Sequence, residues 1–482
     1  MIDVREVIEK VGDYKWLIPR CEGMRVPVVI YASKTLLDKA ISDETPSQLI
    51  NVAMLRGIIK YSLAMPDVHW GYGAPIGGVG AFDPEFGIIS PGFVGYDICC
   101  GVRLLRSDLA AVDISNNLES LITTLFQNIP SGVGSTGVMK LKKKDLEKVL
   151  KDGSFWAINN GFGSKGDIEN TEENGRLQDA DPDALSDRAY ERGIPQLGTL
   201  GSGNHFLEIQ QVVEIYDEKT ASTFGIFKGQ VTVMLHSGSR GLGYQICDDY
   251  LDRFGKISQK YGIKLPDRQL ACAPISSPEG KRYFRAMCAA ANYAFVNRQI
   301  ITHLIRETFE KVIKIPYEQM SLSTVYDVAH NICKVETHSV DGMMKKLYVH
   351  RKGATRAFPK GHLSLPDAYK ATGQPVIIPG TMGTSSYILT GTEKAMEETW
   401  GSTCHGAGRV MSRHQAVKES RDRSIVAELA SKGVVVRGVS KKGLVEEMPE
   451  AYKDVDEVIR TVEGAGISCK VARMVPLAVM KG

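Results

Sequence analysis

The 482-residue sequence lacks any apolar run of about eighteen residues, so no segment reads as a membrane-spanning helix. It opens Met1-Ile2-Asp3-Val4-Arg5-Glu6, without the basic and apolar regions of a secretory leader. Nine cysteines, an odd number without CxxC spacing, argue against a disulfide framework and point to a reducing cytoplasm. Charge of one sign is also scarce. Lys and Arg total 59 against 56 Asp and Glu, a net of +3, so an anionic partner is permitted but not demanded. Any nucleic-acid site must come from local clustering. Linkers, repeats and low-complexity tracts are absent too. With 43% hydrophobic residues available for a core, the expected architecture is one continuous α+β domain over residues 1–482.

Several familiar motifs are missing. There is no GxxxxGK[ST] phosphate loop and no HExxH zinc helix. Two GxGxxG strings occur, Gly132 to Gly137 and Gly161 to Gly166, but neither follows a strand-like segment, so a dinucleotide fingerprint is excluded. The KxDG motif of lysine-dependent nucleotidyl transfer is absent as well: Asp152-Gly153 and Asp341-Gly342 are preceded two positions earlier by Leu150 and Ser339. A nucleotidyl intermediate, if formed, needs another nucleophile.

Periodicity supplies the elements. Thr45-Pro46-Ser47-Gln48 reads as a helix start, with Thr45 as cap and Gln48 closing a capping box, and Leu49, Ala53, Ile58 and Leu63 follow as a stripe. A second helix is predicted after Asp113 through Leu118, Leu121, Ile122 and Leu125, and the longest over residues 283–313. Strands are predicted at 28–31, 230–235 and 434–436. The polar stretch 163–191 reads as a mobile excursion.

The histidines carry the chemistry. Four of the ten lie in loops rich in Gly, Ser or Asn: Gly201-Ser202-Gly203-Asn204-His205, His236-Ser237-Gly238-Ser239-Arg240, Ala329-His330-Asn331 and His405-Gly406-Ala407-Gly408-Arg409. Glycine beside histidine leaves the ring uncovered and lets a ligand approach the backbone. Asp97-Ile98-Cys99-Cys100-Gly101 adds a carboxylate and a thiolate three residues apart, and a thiolate can bridge two ions. Such a mixed donor set suits Mn, Fe or Zn. Taken singly, each histidine reads better as a hydrogen-bonded structural residue; the four together with Asp-x-x-Cys shift the balance toward a site.

These strings resemble the motif set of the RtcB family. The likeness runs from Met65-Pro66-Asp67-Val68-His69-Trp70-Gly71-Tyr72-Gly73 through the four histidine motifs, in the family's order, to Lys481-Gly482. It implies a fold of β-sheets flanked by helices around a central metal and nucleotide cleft. It also implies two manganese ions, one held by Asp97, Cys100 and His205, the other by Cys100, His236 and His330. His405 is implied as a nucleophile taking GMP from GTP, and Asp67 as the group orienting or deprotonating an incoming 5′-hydroxyl. The implied guanylate segments are Asn204, His205, Phe206, Leu207 and Glu208; His330 and Asn331; Pro379, Gly380, Thr381, Met382 and Ser386; His405, Gly406, Ala407 and Gly408; and Lys481. Cys99 departs from the family pattern, standing where Asn or a small residue is expected; the Asp-x-x-Cys-Gly register favours Cys100 as ligand, with Cys99 packed away.

The implied activity is joining an RNA 3′-phosphate or 2′,3′-cyclic phosphate to a 5′-hydroxyl, in tRNA splicing or RNA repair. RNA and GTP are the implied partners, a monomer is expected, and the need for an archease-like activator is left open. Arg240, Arg409 and Arg413 adjoin the histidine loops and are the favoured phosphate contacts, whereas Lys140, Lys142, Lys143 and Lys144 read better as a solvated helix start. Two rival readings are a dinuclear metallophosphoesterase, which leaves His405 and Lys481 idle, and a non-enzymatic RNA-binding protein.

Overall fold

The computed structural model describes residues 3–482 apart from Glu22 and Asp422. The chain is α+β, with two large, mainly antiparallel sheets flanked by helices. In spatial order the first sheet runs Glu9–Gly12, Lys15–Ile18, Val28–Tyr31, Ile58–His69, Ile76–Phe82, Met343–Lys352 and Asn331–Val340. The second runs Ser323–Ala329, Gly101–Ala110, Gln230–Ser237, Phe206–Ile215, Ser468–Lys481, Ser386–Gly391 and Pro375–Ile378, with Val435–Gly438 parallel against Ser468–Lys481. His330 is the single residue between the last strand of one sheet and the first of the other. The chain therefore turns from sheet to sheet at a histidine. No helix among the described residues is long and apolar enough to cross a membrane.

The longest helix, Pro278–Ile313, contains the 283–313 stripe and organises the interior. Ser277 caps it by accepting from the Gly280 N–H at 3.0 Å, Pro278 occupies the first turn, and Lys314 ends it in the left-handed region at φ 64°. It packs on the helices Leu118–Asn128, Lys143–Asp152 and Arg240–Lys260 and on the strand Gln230–Ser237. Small residues at Ala289, Ala290 and Ala291 let these neighbours come close, and the helix is buried on nearly every side there. Its interior is not wholly apolar. Asn292, Asn297, Arg298, Gln299, Thr302 and Arg306 are buried too, so each needs partners.

The strands at 28–31 and 230–235 form where expected, within Val28–Tyr31 and Gln230–Ser237, and 434–436 shifts by a residue to Val435–Gly438. The helix Leu118–Asn128 buries Leu121, Ile122 and Leu125. Neither GxGxxG string follows a strand, as expected. Three readings are corrected. Thr45 lies inside the helix Thr45–Ala53 with no side-chain cap, because Gln48 turns away to exchange hydrogen bonds with the backbone of Gly71. The stripe also breaks at Ala53, since Ile58 and Leu63 belong to the strand Ile58–His69. Residues 163–191 are likewise no loose excursion. Asp167 is fastened to Arg306 by two 2.7 Å hydrogen bonds, and Glu172 is paired with Lys334 at 2.7 Å. Tertiary ion pairs override the polar local composition.

Burial alone would raise the Asp167 pKa, but the hydrogen bonds and charge of Arg306 outweigh it and hold the carboxyl well below its usual range. A depressed folded pKa means that the pair's contribution is complete above the unfolded value of about 4 and is lost as pH falls through the folded one. Asp167→Asn strands the guanidinium and is expected to cost about 3–5 kcal/mol at neutral pH in urea unfolding. The gap to wild type should narrow only below about pH 4.

Candidate active site

Strand register assembles the site. Ala329 pairs with Gly101, Gly101 with Ser237, and His236 with both Val102 and Phe206. Because these strands are antiparallel neighbours, His330 after one end, Cys100 before the next, His236 and then His205 arrive at one edge of the second sheet. The Cys100 Sγ lies 3.3 Å from His205 Nε2 and 3.2 Å from His236 Nε2. His236 Nε2 is 3.3 Å from His330 Nε2, and His205 Nε2 is 2.8 Å from an Asp97 carboxylate oxygen. Two overlapping triads result, Asp97–Cys100–His205 and Cys100–His236–His330, each with its donor atoms within 4.8 Å of one another.

The loops carrying these groups are held from behind by the long helix. Arg298 donates at 2.9 Å to the Cys99 carbonyl and at 2.9 Å to the Ser237 carbonyl, while bonding Asp327 on the strand that leads to His330. Asn297 donates to Thr199 and Gly238 carbonyls and accepts from the Gly198 N–H, fixing the approach to His205. Gly238 is required by space: a Cβ there would stand 2.3 Å from an Asp97 oxygen. Cys99 belongs to neither triad. Its backbone is left-handed at φ 56°, and its buried thiol faces Arg298, with burial pushing its pKa up to about 12.

Burial pushes His236 and His330 well below the ordinary imidazole range, and it lowers His205 despite Asp97. The rings are therefore neutral, with lone pairs available. For Asp97, burial works upward, but His205 and Arg240 hold the carboxyl well below its usual range. Burial and Asp97 raise the Cys100 thiol. His205 Nδ1 lies 3.0 Å from the Leu200 carbonyl; a proton shared there leaves Nε2 facing the cluster. One carboxylate, three neutral imidazoles and a thiol central to both triads fit a pair of divalent transition-metal ions.

His405 stands beside this cluster, its ring centroid 4.9 Å from that of His330. An Asp67 oxygen accepts from His405 Nδ1 at 2.5 Å and from the His405 N–H at 2.9 Å. With Nδ1 protonated, Nε2 carries the lone pair. Burial would raise the Asp67 pKa, but His405 and the nearby Lys453 ammonium hold it low. The Asp67 carboxylate, which the resemblance assigns to an incoming hydroxyl, is fully buried and in contact with the His405 ring.

In front of both lies a cleft of about 340 Å³. Its walls include Asn204, Phe206, Glu208, Asn331, Pro379, Gly380, Thr381, Met382, Gly406, Ala407, Gly408 and Lys481, besides His236, His330 and His405. Leu207 and Ser386 are not on its wall. Alternation along Phe206–Ile215 turns Leu207 into the core, and Ser386 sits behind, accepting from the Gly380 N–H at 3.1 Å. Lys481 is brought in by pairing with Phe206 and faces the Asn204 carbonyl at 3.3 Å. Burial raises the Glu208 pKa to about 8, with Lys481 opposing the shift. Arg409 and Arg413 reach the wall, while Arg240 abuts His205 with its Nη1 3.0 Å from Nδ1.

The sequence model of the family described as tRNA-splicing ligase RtcB matches residues 48–482. Three relatives, each named tRNA-splicing ligase RtcB, align essentially end to end. The one from Thermococcus kodakarensis is 53% identical over 99% of this chain and 100% of its own. That from Archaeoglobus fulgidus is 53% identical over the whole of both chains, and that from Methanococcus maripaludis 51% identical over 99% and 100%. The chain belongs to the RtcB family.

The RtcB match begins upstream of Met65 and takes in Gln48, whose bonds to Gly71 tie the helix Thr45–Ala53 to the loop after His69. Sequence reasoning missed two charged members of the RtcB cleft, Lys352 and Glu447. The Lys352 ammonium is held by the carbonyls of Tyr72, Ala74 and Gly92, and burial pushes its pKa down to about 7. A strand-end lysine carries no motif. Arg298 carries no motif either, being one of several charged residues on the long helix. Gly408, by contrast, is placed by its motif and explained by space: φ is +74°, and a Cβ would lie 2.1 Å from the Asp67 carbonyl oxygen. Gly408→Ala is expected to destabilise the fold by about 1–3 kcal/mol in thermal unfolding, and a crystal structure should show the His405–Asp67 contact displaced.

Proposed function

We propose that this chain is a GTP- and manganese-dependent RNA ligase that joins 3′-phosphate or 2′,3′-cyclic phosphate ends to 5′-hydroxyl ends through a guanylylated His405. The observation that carries the reading is an imidazole whose Nδ1 is committed to a buried carboxylate while its ring stands beside a two-triad donor cluster. Such a histidine is oriented by that contact and set on the wall of a nucleotide-sized cleft. A lone structural histidine needs none of this.

In this reading His405 Nε2 attacks the α-phosphorus of GTP; the P–N bond forms as the bond to the β-phosphate bridge breaks, and pyrophosphate leaves. The guanylate then passes to an oxygen of the RNA 3′-phosphate, regenerating the imidazole. Attack by the 5′-hydroxyl on that activated phosphate expels GMP and seals the strand. A cyclic phosphate is first hydrolysed to the 3′-phosphate in the same cleft. Asp97, Cys100 and His205 would hold one manganese ion, and Cys100, His236 and His330 the other. Two such cations supply neutralisation of the charge that develops on phosphate oxygens. Asp67 holds the His405 ring and balances positive charge on it. Glu208 can accept from the N–H edge of guanine, and Lys481 can donate to its oxygen. Arg409 and Arg413 would contact phosphates from the cleft wall, and Arg240 from beside His205. The RNA ends would be tRNA halves or broken transcripts, met by a cytoplasmic monomer, with or without an archease-like activator.

Incubation with α-labelled GTP and manganese tests the proposal. A labelled protein band is expected, removed by chelation and restored by manganese, and reduced by more than about a thousandfold in His405→Ala. Release of free phosphate with no labelled band would favour a phosphoesterase, and RNA affinity with neither would leave a binding protein. Cys100→Ala is expected to abolish labelling and Cys99→Ala largely to spare it; the opposite pattern would overturn the ligand assignment.

A further inference from the structure

The loop that carries His69 and Tyr72 into the cleft also presents Trp70, a large apolar side chain left 58% exposed. That exposure is not the result of a slack loop. His69 Nδ1 is 3.1 Å from the Asp67 carbonyl, the Gly71 N–H donates to Gln48 at 3.0 Å, and Lys352 holds the Tyr72 carbonyl. The residues on both sides of the indole are tied down, so the ring is presented to solvent by a rigid frame. An exposed aromatic side chain fixed beside a polar cleft is built to meet a flat ligand.

Its surroundings say which. Tyr72 packs edge-on against Tyr96 with centroids 5.3 Å apart, and Tyr96 stacks on Tyr244 at 4.6 Å. The Arg192 guanidinium covers Tyr244, 5.0 Å from its centroid, and is steadied by Gln245 at 3.1 Å. Tyr72 and Tyr96 line the cleft, whereas Trp70, Tyr244 and Arg192 lie beyond its wall. An aromatic wall thus leads from the neighbourhood of Asp97 to the surface and ends on a cation. Tyr244 and Arg192 lie outside the residues that line the cleft, so a ligand touching them extends beyond it, as a polymer does. Alternating flat rings and arginine form the usual surface for single-stranded nucleic acid, bases on the rings and phosphate on the cation.

We propose that Trp70, on the same loop as Tyr72, acts with the Tyr72–Tyr96–Tyr244–Arg192 series to seat the unpaired nucleotides of the RNA strand adjoining the reacting end. This inference rests on the RNA-ligase reading and adds to it a stacking subsite outside the reaction chemistry. Stacking makes the subsite tolerant of base identity but dependent on a base being present.

Fluorescence anisotropy tests it, with labelled single-stranded RNA dodecamers bearing either a 3′-phosphate or a 5′-hydroxyl at the end under study. Trp70→Ala is expected to weaken binding of at least one of the two by about tenfold, and Trp70→Phe to recover most of the loss. Replacing the terminal two nucleotides with abasic units should weaken wild type and remove its advantage over Trp70→Ala. Labelling of the protein by GTP should be unchanged in Trp70→Ala, which also shows that the variant is folded. Equal binding of both oligonucleotides by wild type and Trp70→Ala, or an equal loss on the abasic ones, would sink the subsite. Were wild type itself to bind neither RNA and join nothing, the RNA-ligase reading would fall first and take this inference with it.

Discussion

The structure turns on one buried guanidinium. Arg298, in the middle of the long helix, holds Asp327 and the carbonyls of Cys99 and Ser237 at once. Each of those partners lies within three residues of a donor in the cluster. Burial would lower the pKa of this arginine, but Asp327 and its bonds overcome that and keep it charged. Removing it would leave the Cys99 and Ser237 carbonyls without its bonds and the buried Asp327 carboxylate with Arg103 alone. The cost of such a loss is what keeps three separate loops at one relative spacing.

From that anchor the rest follows in layers. Antiparallel register carries Cys100, His236 and His205 to a common edge, and the corner at His330 places a fourth donor where the sheets meet. Dryness then sets protonation. Imidazoles deep in the interior are pushed toward the neutral form, which leaves their lone pairs free, and burial with Asp97 raises the pKa of the thiol at the centre of both triads. The first sheet contributes the other half. Its strand Ile58–His69 delivers Asp67 to the back of His405, so the two sheets must be correctly docked before the imidazole is oriented.

The cleft is polar in a particular way. Glu208 and Lys481 lie on adjacent strands of the second sheet and face one another across its floor, each shifted by burial toward its neutral form. A ligand that offers hydrogen-bond donors to one and an acceptor to the other restores their solvation. Lys352, carried on the first sheet and ringed by three carbonyls, adds a cation whose charge is poised near neutrality. Selectivity in such a cavity comes from unmet polar groups more than from shape.

Much of the site was legible in the chain itself, for a local reason. His205, His236 and His405 sit in glycine-rich strings because backbone must pass close to other groups there, as at Gly238 and Gly408, and that demand is written into neighbouring residues. The long helix and several strands were equally visible, since a core-facing stripe is a short-range pattern. Gln48 was misread because capping competes with a distant partner, and residues 163–191 were misread because their anchors, Arg306 and Lys334, come from far along the chain. Asp67 behind His405, Leu207 turned from the cleft, Lys352 within it and Arg298 beneath it were decided by tertiary structure alone. Each depends on which strands are neighbours and in what register, and no local run of residues encodes that.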